Sequence, residues 1–146
     1  IDGNGMTTTI QIPGRGITQI ATADLNRDGV SEVATVTVDG DRNRRAMGLN
    51  LDGEILWQHD LPRGEQASPI EPIVAANWFE GEPGRWLFAT PDGTIHIISA
   101  DGKSLDRFAT GRQLSGIATG HLNGKPALLI SSKEGVTAFK VATRAE

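Results

Sequence analysis

Residues 92–102 read Asp92-Gly93-Thr94-Ile95-His96-Ile97-Ile98-Ser99-Ala100-Asp101-Gly102. The run from Thr94 to Ser99 is rich in β-branched side chains, and an Asp-Gly dipeptide stands on each side of it. β-Branched residues favour strands, and Asp-Gly suits tight turns because glycine adopts a positive φ without strain. This stretch therefore predicts a short strand between two hairpin turns.

The stretch belongs to a pattern that is written three times along the chain. Each copy has an apolar run, a loop, and a second run that ends at an acidic residue followed by glycine. The opening runs are residues 17–23, 70–76 and 114–120, and the second runs are residues 32–38, 86–90 and 127–131. A repeat of roughly 40–50 residues built from short strands is typical of stacked supersecondary units.

Four antiparallel strands per unit at this period predict an all-β fold, a β-propeller of about three four-stranded blades. The whole chain, residues 1–146, would be a single propeller segment. Residues 17–69 would form blade 1, residues 70–113 blade 2, and residues 114–146 a blade 3 that lacks its outer strand. Within residues 1–16, the run from Met6 to Ile12 predicts an orphan fourth strand, offset as velcro closure requires.

Three blades do not fill a circle well, because the sheets twist and widen outward from the axis. Two arrangements remain open at this point. The chain is either a fragment of a larger ring or one half of a dimeric six-bladed ring. In both cases its partners include further blades, from a longer parent chain or from a second copy.

The composition excludes several classes of function. The formal net charge is −4, from 14 basic and 18 acidic residues, which argues against a nucleic-acid groove because such a groove needs a basic face. The chain contains no cysteine, so disulfides, thiolate metal sites and cysteine nucleophiles are excluded. No apolar stretch approaches the roughly 20 residues of a membrane-spanning helix.

The loop after the first apolar run reads Asp24-Leu25-Asn26-Arg27-Asp28-Gly29-Val30-Ser31-Glu32. Oxygen-bearing side chains at alternate positions, a glycine for a sharp turn and a final carboxylate are the groups that a calcium site uses. An EF-hand is not expected, because its twelfth position falls on Thr35 within a strand-forming run. In the alternative, Asp24 and Asp28 accept hydrogen bonds from backbone amides of a tight turn and bind no metal.

This loop resembles the FG-GAP repeat of integrin-like propellers, in which a DxDxDGxxD loop joins the first two strands of a blade. The resemblance implies one calcium ion, held by side-chain oxygens of Asp24, Asn26, Asp28 and Glu32 and by the carbonyl of Val30. This chain has Asn26 and Glu32 where the repeat has aspartate. The residues do not fix the compartment, and of the possible locations an extracytoplasmic one, periplasmic or secreted, is favoured.

The segment Gly48-Leu49-Asn50-Leu51-Asp52-Gly53-Glu54-Ile55-Leu56-Trp57 is similar to the repeat of quinoprotein-like propellers. In that family a tryptophan after the turn docks between neighbouring blades, which implies a structural role for Trp57. The family's cofactor, pyrroloquinoline quinone, needs a complete ring with a polar, metal-bearing centre. We therefore expect no pyrroloquinoline quinone on this segment.

The remaining reactive or aromatic side chains do not point to catalysis. The three histidines, His59, His96 and His121, occupy different parts of the pattern, with no shared spacing that would bring them together as ligands, so we expect surface or packing roles for them. Trp78, Phe79 and Trp86 flank a loop, where aromatic residues either form a sugar- or peptide-binding platform or pack in the core.

The sequence therefore favours a non-catalytic interaction module that presents loops to a protein or glycan partner. The alternative is a fragment of a quinoprotein-like dehydrogenase, or of another propeller enzyme, whose active residues lie outside this chain.

Overall fold

A computed structural model describes residues 9–64 and 73–142 of the chain, and within those ranges every regular element is a β-strand. Blade 1 contains β1 (Arg15–Ala23), β2 (Glu32–Asp39), β3 (Arg44–Leu49) and β4 (Ile55–Leu61). Blade 2 contains β5 (Ile73–Ala76), β6 (Arg85–Ala89), β7 (Thr94–Ser99) and β8 (Ser104–Ala109). Blade 3 contains β9 (Gly116–Leu122), β10 (Lys125–Ser132) and β11 (Gly135–Lys140). The described residues include no helix with the length and hydropathy needed to cross a membrane.

Each blade is an antiparallel meander in which strands that follow one another in sequence are hydrogen-bonded neighbours. The first strands of the blades lie side by side, since β1 contacts β5 and β5 contacts β9. Successive sheets joined at their first strands are the arrangement of a β-propeller. The predicted fold class is thus confirmed, and the strand predicted from Thr94 to Ser99 is β7.

The core lies between the blades. The first interface, between blades 1 and 2, has a buried cluster made of Leu25, Ala34, Val36, Ala46, Leu61, Trp86, Phe88 and Ile98. The second interface, between blades 2 and 3, has a buried cluster made of Ala76, Trp78, Leu87, Ala89, Ile95, Ile97, Leu128 and Ile130. Successive strand residues point to opposite faces, so β7 sends Ile98 to the first interface and Ile97 to the second. Blade 2 is buried on both faces, which explains the nearly continuous apolar run of β7.

The N-terminal segment lies against the face of blade 1 that is turned away from blade 2. Ile12 is buried there with Val33, Met47 and Leu49. Residues 9–12 carry no strand, and the part of the predicted orphan strand from Met6 to Thr8 lies outside the described residues. The described part of this segment therefore shields apolar side chains on that face of blade 1 from solvent.

Most of the acidic-Gly turns take the predicted positive φ at glycine. The angle is +85° at Gly53, +80° at Gly93 and +88° at Gly102. The turn at Asp39-Gly40 differs, because the positive φ falls on Arg42, at +62°. The carboxylate of Asp39 there accepts hydrogen bonds from the amides of Asp41 and Asn43, which fixes the turn without a left-handed glycine.

Candidate functional site

The acidic loop joins β1 to β2 in blade 1, and the carboxylate of Asp24 organises it. One oxygen of Asp24 accepts a hydrogen bond from the amide of Asp28 at 3.1 Å, and the other accepts one from the amide of Gly29 at 2.9 Å. The chain turns sharply here, with φ at +62° for Arg27 and +87° for Gly29. Glycine takes that conformation without a side-chain clash, so Gly29 suits this place in the loop.

The other predicted ligands belong to the same small network. Asn26 accepts from the amide of Asp28 through Oδ1 at 3.0 Å and donates to Asp28 Oδ2 through Nδ2 at 3.0 Å. Asp28 Oδ1 accepts from the amide of Val30 at 2.8 Å. Glu32 Oε2 accepts from the amide of Leu25 at 2.8 Å, which closes the loop at the start of β2. The structure therefore brings the predicted side chains into one loop, with backbone amides as partners of their oxygens.

This donor set consists of the hard oxygen ligands that calcium prefers. Each oxygen that accepts one amide keeps a second lone pair, so the amide bonds leave acceptor capacity for a cation. Over residues 9–64 and 73–142, however, no group of three or more His, Cys, Asp or Glu side chains is arranged to hold a metal ion. The residue types fit calcium, and binding would require the carboxylates to converge further than they do around the loop amides.

The acidic loop is also a contact between blades, which no pattern in the sequence indicated. Leu25 is fully buried in the first interface, and its carbonyl accepts a hydrogen bond from the amide of Gly84 at 2.7 Å. A Cβ on Gly84 would lie 2.7 Å from Leu25 Cδ2 and 2.3 Å from Asn77 Oδ1, so a side chain there does not fit. The acidic loop is therefore hydrogen-bonded to the loop between β5 and β6 of blade 2 and packs closely against it.

Trp57 lies between blades 1 and 2, where it packs against the buried cluster of the first interface. Its ring meets the ring of Phe88 edge to face, with the centroids 6.3 Å apart. Gly48 and Gly102 leave room for the indole, because a Cβ on either glycine would lie within 2.3 Å of a Trp57 atom. The docking of Trp57 thus depends on one glycine from each blade.

The aromatic residues near the loop of blade 2 are mostly in the core. Trp86 is fully buried in the first interface and Trp78 is buried in the second, so neither belongs to a surface platform. Phe79 is only partly buried, and the guanidinium of Arg85 lies 5.3 Å from its ring centroid. Of the two interpretations left open by the sequence, core packing applies to both tryptophans.

Two of the three histidines pack against each other. The rings of His59 on β4 and His96 on β7 face each other across the first interface, with their centroids 5.8 Å apart. His121 lies elsewhere, and its Nε2 is 3.0 Å from the carbonyl oxygen of Trp78, to which it donates a hydrogen bond. The signal for the pair was strand alternation, which puts His59 on the same face of β4 as Trp57.

No family model matches the chain, and no curated protein matches it. Among solved structures it is similar to one described as BBS1N in complex with ARL6DN, soaked with mercury, at 11% identity and a TM-score of 0.42. The match covers 92% of this chain and 54% of that chain, so this chain spans about half of the length of its neighbour. A likeness this distant carries no argument.

Proposed function

We propose that this chain is a non-catalytic β-propeller interaction module that presents loops, and a sheet edge left unpaired by residues 9–64 and 73–142, to a protein or glycan partner. The observation that carries the proposal is the outer edge of blade 3. Blades 1 and 2 each have four strands, whereas the described part of blade 3 ends at its third strand, β11. Val136 and Phe139 on β11 are 70% and 40% exposed.

An edge strand offers unpaired backbone groups, to which an extended segment can add as a further strand. Residues of β11 alternate between amides that point to β10 and amides that point outward. The amide of Val141, just beyond β11, donates to the carbonyl of Pro126 at 3.0 Å, which sets the phase of this alternation. By this phase the amides of Val136 and Ala138 point to the free edge.

The chemistry beside this edge indicates the kind of partner. A groove of about 300 Å³ is lined by Leu122, Asn123, Lys125, Pro126, Ala127, Ala138, Phe139 and Lys140. The residues that line it include apolar side chains and two lysines. We infer that an extended protein segment with an apolar side chain next to a carboxylate is the partner that suits it. Further blades of a longer chain, or a second copy, are other occupants that the test distinguishes.

Ala138→Pro is expected to abolish this binding, because proline removes the outward amide of Ala138 while the ladder between β10 and β11 keeps its bonds. The probe is a displayed library of random extended peptides selected on the intact chain, followed by fluorescence polarisation of the selected peptides. We expect the affinity to fall at least tenfold in Ala138→Pro and to change little in Ala138→Ser, which keeps the amide.

Three outcomes would count against the free edge as the peptide site. The first is an equal affinity of the selected peptides for Ala138→Pro and for the original chain. The second is a chain that binds glycans on an array but binds no peptide. The third is a sedimentation mass of two chains for the original protein and of one chain for Ala138→Pro. That result would mean that a second copy of the chain, and not a peptide, occupies the edge.

We further propose that calcium orders the acidic loop through Asp24, Asn26, Asp28, Glu32 and the carbonyl of Val30. The proposal is supported by their common loop and by the resemblance to FG-GAP repeats. Extracellular modules bind calcium at roughly 0.1–1 mM. A tenfold excess over that value would raise the free energy of unfolding by about 1.4 kcal/mol.

Thermal melts with calcium and with chelator test the calcium site. The melting temperature is expected to rise by about 3–8 °C with calcium, since about 1.4 kcal/mol shifts a domain of this size by that amount. Asp24→Asn should lose the rise, because it removes a charge while keeping an acceptor for the loop amides. Asp52→Asn, in an exposed turn of the same blade, is the matched control and should keep the rise. If the original chain had the same melting temperature with calcium and with chelator, the proposed calcium site would be wrong.

One observation favours the alternative function, a segment of a quinoprotein-like dehydrogenase or another propeller enzyme. Trp57 docks between two blades, as the tryptophan of that repeat does, with Gly48 and Gly102 making room for it. Turnover of a quinone-linked dye by the full-length protein would support the alternative.

A further inference from the structure

Two imidazole rings meet inside the first interface. His59 comes from β4 of blade 1 and His96 from β7 of blade 2, with a centroid distance of 5.8 Å and an angle of 64° between the ring planes. His96 is only 3% exposed, and its buried Nε2 has no hydrogen-bond partner among the residues that the structure describes. A charge placed on this ring would be shielded from water, and a buried charge is costly without a partner.

The side chains around His96 offer little to offset such a charge. The register places Phe88 of β6 and Arg107 of β8 directly opposite His96 on either side. On blade 1, Arg44 of β3 lies on the same face of the sheet as His59, opposite Leu61. Asp92, in the turn before β7, is the carboxylate whose charge favours the protonated ring. Among the described residues that act on the His96 ring, the charge of Asp92 is thus opposed by burial and by the charge of Arg107.

We propose that the contact between His59 and His96 makes the interface between blades 1 and 2 acid-labile. Proton binding by His96 places a charge inside the packed contact of the two sheets, on a ring that is buried and whose Nε2 has no hydrogen-bond partner among the described residues. Trp57 and Phe88 belong to the same contact, so loss of the histidine packing loosens the apolar cluster that joins the blades. The interface then opens at mildly acidic pH, while the second interface keeps its packing.

The direction of the pH effect follows from the surroundings of His96. Burial lowers the pKa of the His96 imidazole, the charge of His59 and that of Arg107 lower it as well, and Asp92 opposes them. An unfolded histidine has a pKa of about 6.5, so the unfolded chain binds more protons as the pH falls. The stability that neutral His96 contributes is complete above about pH 6.5 and is lost as the pH falls through the folded pKa.

Thermal melts of the whole chain between pH 7.5 and pH 5.5, in the presence of a chelator, test the proposal. Histidine is the side chain whose ordinary pKa lies in that window. The melting temperature is expected to fall by about 3 °C or more across it. His96→Phe should lose at least half of the fall, because phenylalanine keeps a ring in the contact but takes up no proton. His121→Gln, at the second interface, should keep the full fall.

A second measurement decides the matter if His96→Phe does not fold. The C2 proton of His96 is followed by NMR in the original chain, with His59→Gln and His121→Gln used to assign the three histidine signals. We expect a titration midpoint below the ordinary value of about 6.5. A midpoint at or above that value would overturn the proposal, as would an equal fall in melting temperature for His96→Phe and the original chain.

Discussion

Replacing Trp78 by alanine is expected to lower the free energy of unfolding by about 3–5 kcal/mol, the usual cost of truncating a large buried aromatic side chain. Trp78 is 4% exposed and packs in the second interface. Its Nε1 donates to the carbonyl of Ala127 at 3.1 Å, so the side chain ties blade 2 to blade 3 by a hydrogen bond as well as by packing. Alanine would leave a cavity between the blades and remove that donor. Urea unfolding followed by circular dichroism measures the loss.

Two further variants separate packing from hydrogen bonding at Trp78. Trp78→Phe keeps most of the apolar volume but loses the hydrogen-bond donor. We expect the lost hydrogen bond to lower the free energy of unfolding by about 1 kcal/mol, and the smaller ring to lower it further. Leu122→Ala, in the same blade as Ala127 but 46% exposed, is a surface control that should change stability by about 0.5 kcal/mol. If Trp78→Ala cost no more than Leu122→Ala, blades 2 and 3 would not be packed through Trp78.

Gly102→Ala is expected to lower the free energy of unfolding by about 2–4 kcal/mol, since it combines backbone strain with a steric clash. Gly102 has a φ of +88°, which a residue with a side chain rarely adopts. A Cβ there would lie 2.3 Å from both Cβ and Cγ of Trp57, well inside contact distance. The indole cannot move away easily, because Gly48 and Phe88 pack against it. Urea unfolding also measures this variant.

Two other glycines of the chain, Gly124 and Gly48, allow the backbone strain and the clash with Trp57 to be measured separately. Gly124 has a φ of +73° with no atom within 4 Å of a built Cβ, so Gly124→Ala carries backbone strain alone, about 1 kcal/mol. Gly48 has no positive φ, but its Cβ would lie 2.1 Å from Trp57 Nε1, so Gly48→Ala carries the clash alone. In a Trp57→Gly background, which removes both the Cβ and the Cγ that clash, the cost of Gly102→Ala should fall to that of Gly124→Ala. Equal costs for Gly102→Ala and Gly124→Ala in the original chain would contradict the close packing around Trp57.

For the acidic loop, the sequence predicted the local arrangement of side chains but not the contact with blade 2. The alternation of oxygen-bearing side chains from Asp24 to Glu32 predicted that they share one loop, and they do. The amide of Gly84 that binds the Leu25 carbonyl was not predictable, because Gly84 belongs to another blade and carries no side chain to signal a contact. The calcium ion and the peptide partner stay predictions until they are measured.

The sequence by itself determined the strands and turns of this protein, since β-branched runs and acidic-Gly dipeptides act within a few residues of themselves. It also determined the number of blades through the period of its repeat. Only the tertiary structure decided which side chains meet between the blades, such as His59 with His96 and Gly102 with Trp57. The reason is that such contacts depend on how two separately formed sheets are stacked and rotated, and no local pattern along the chain records that geometry.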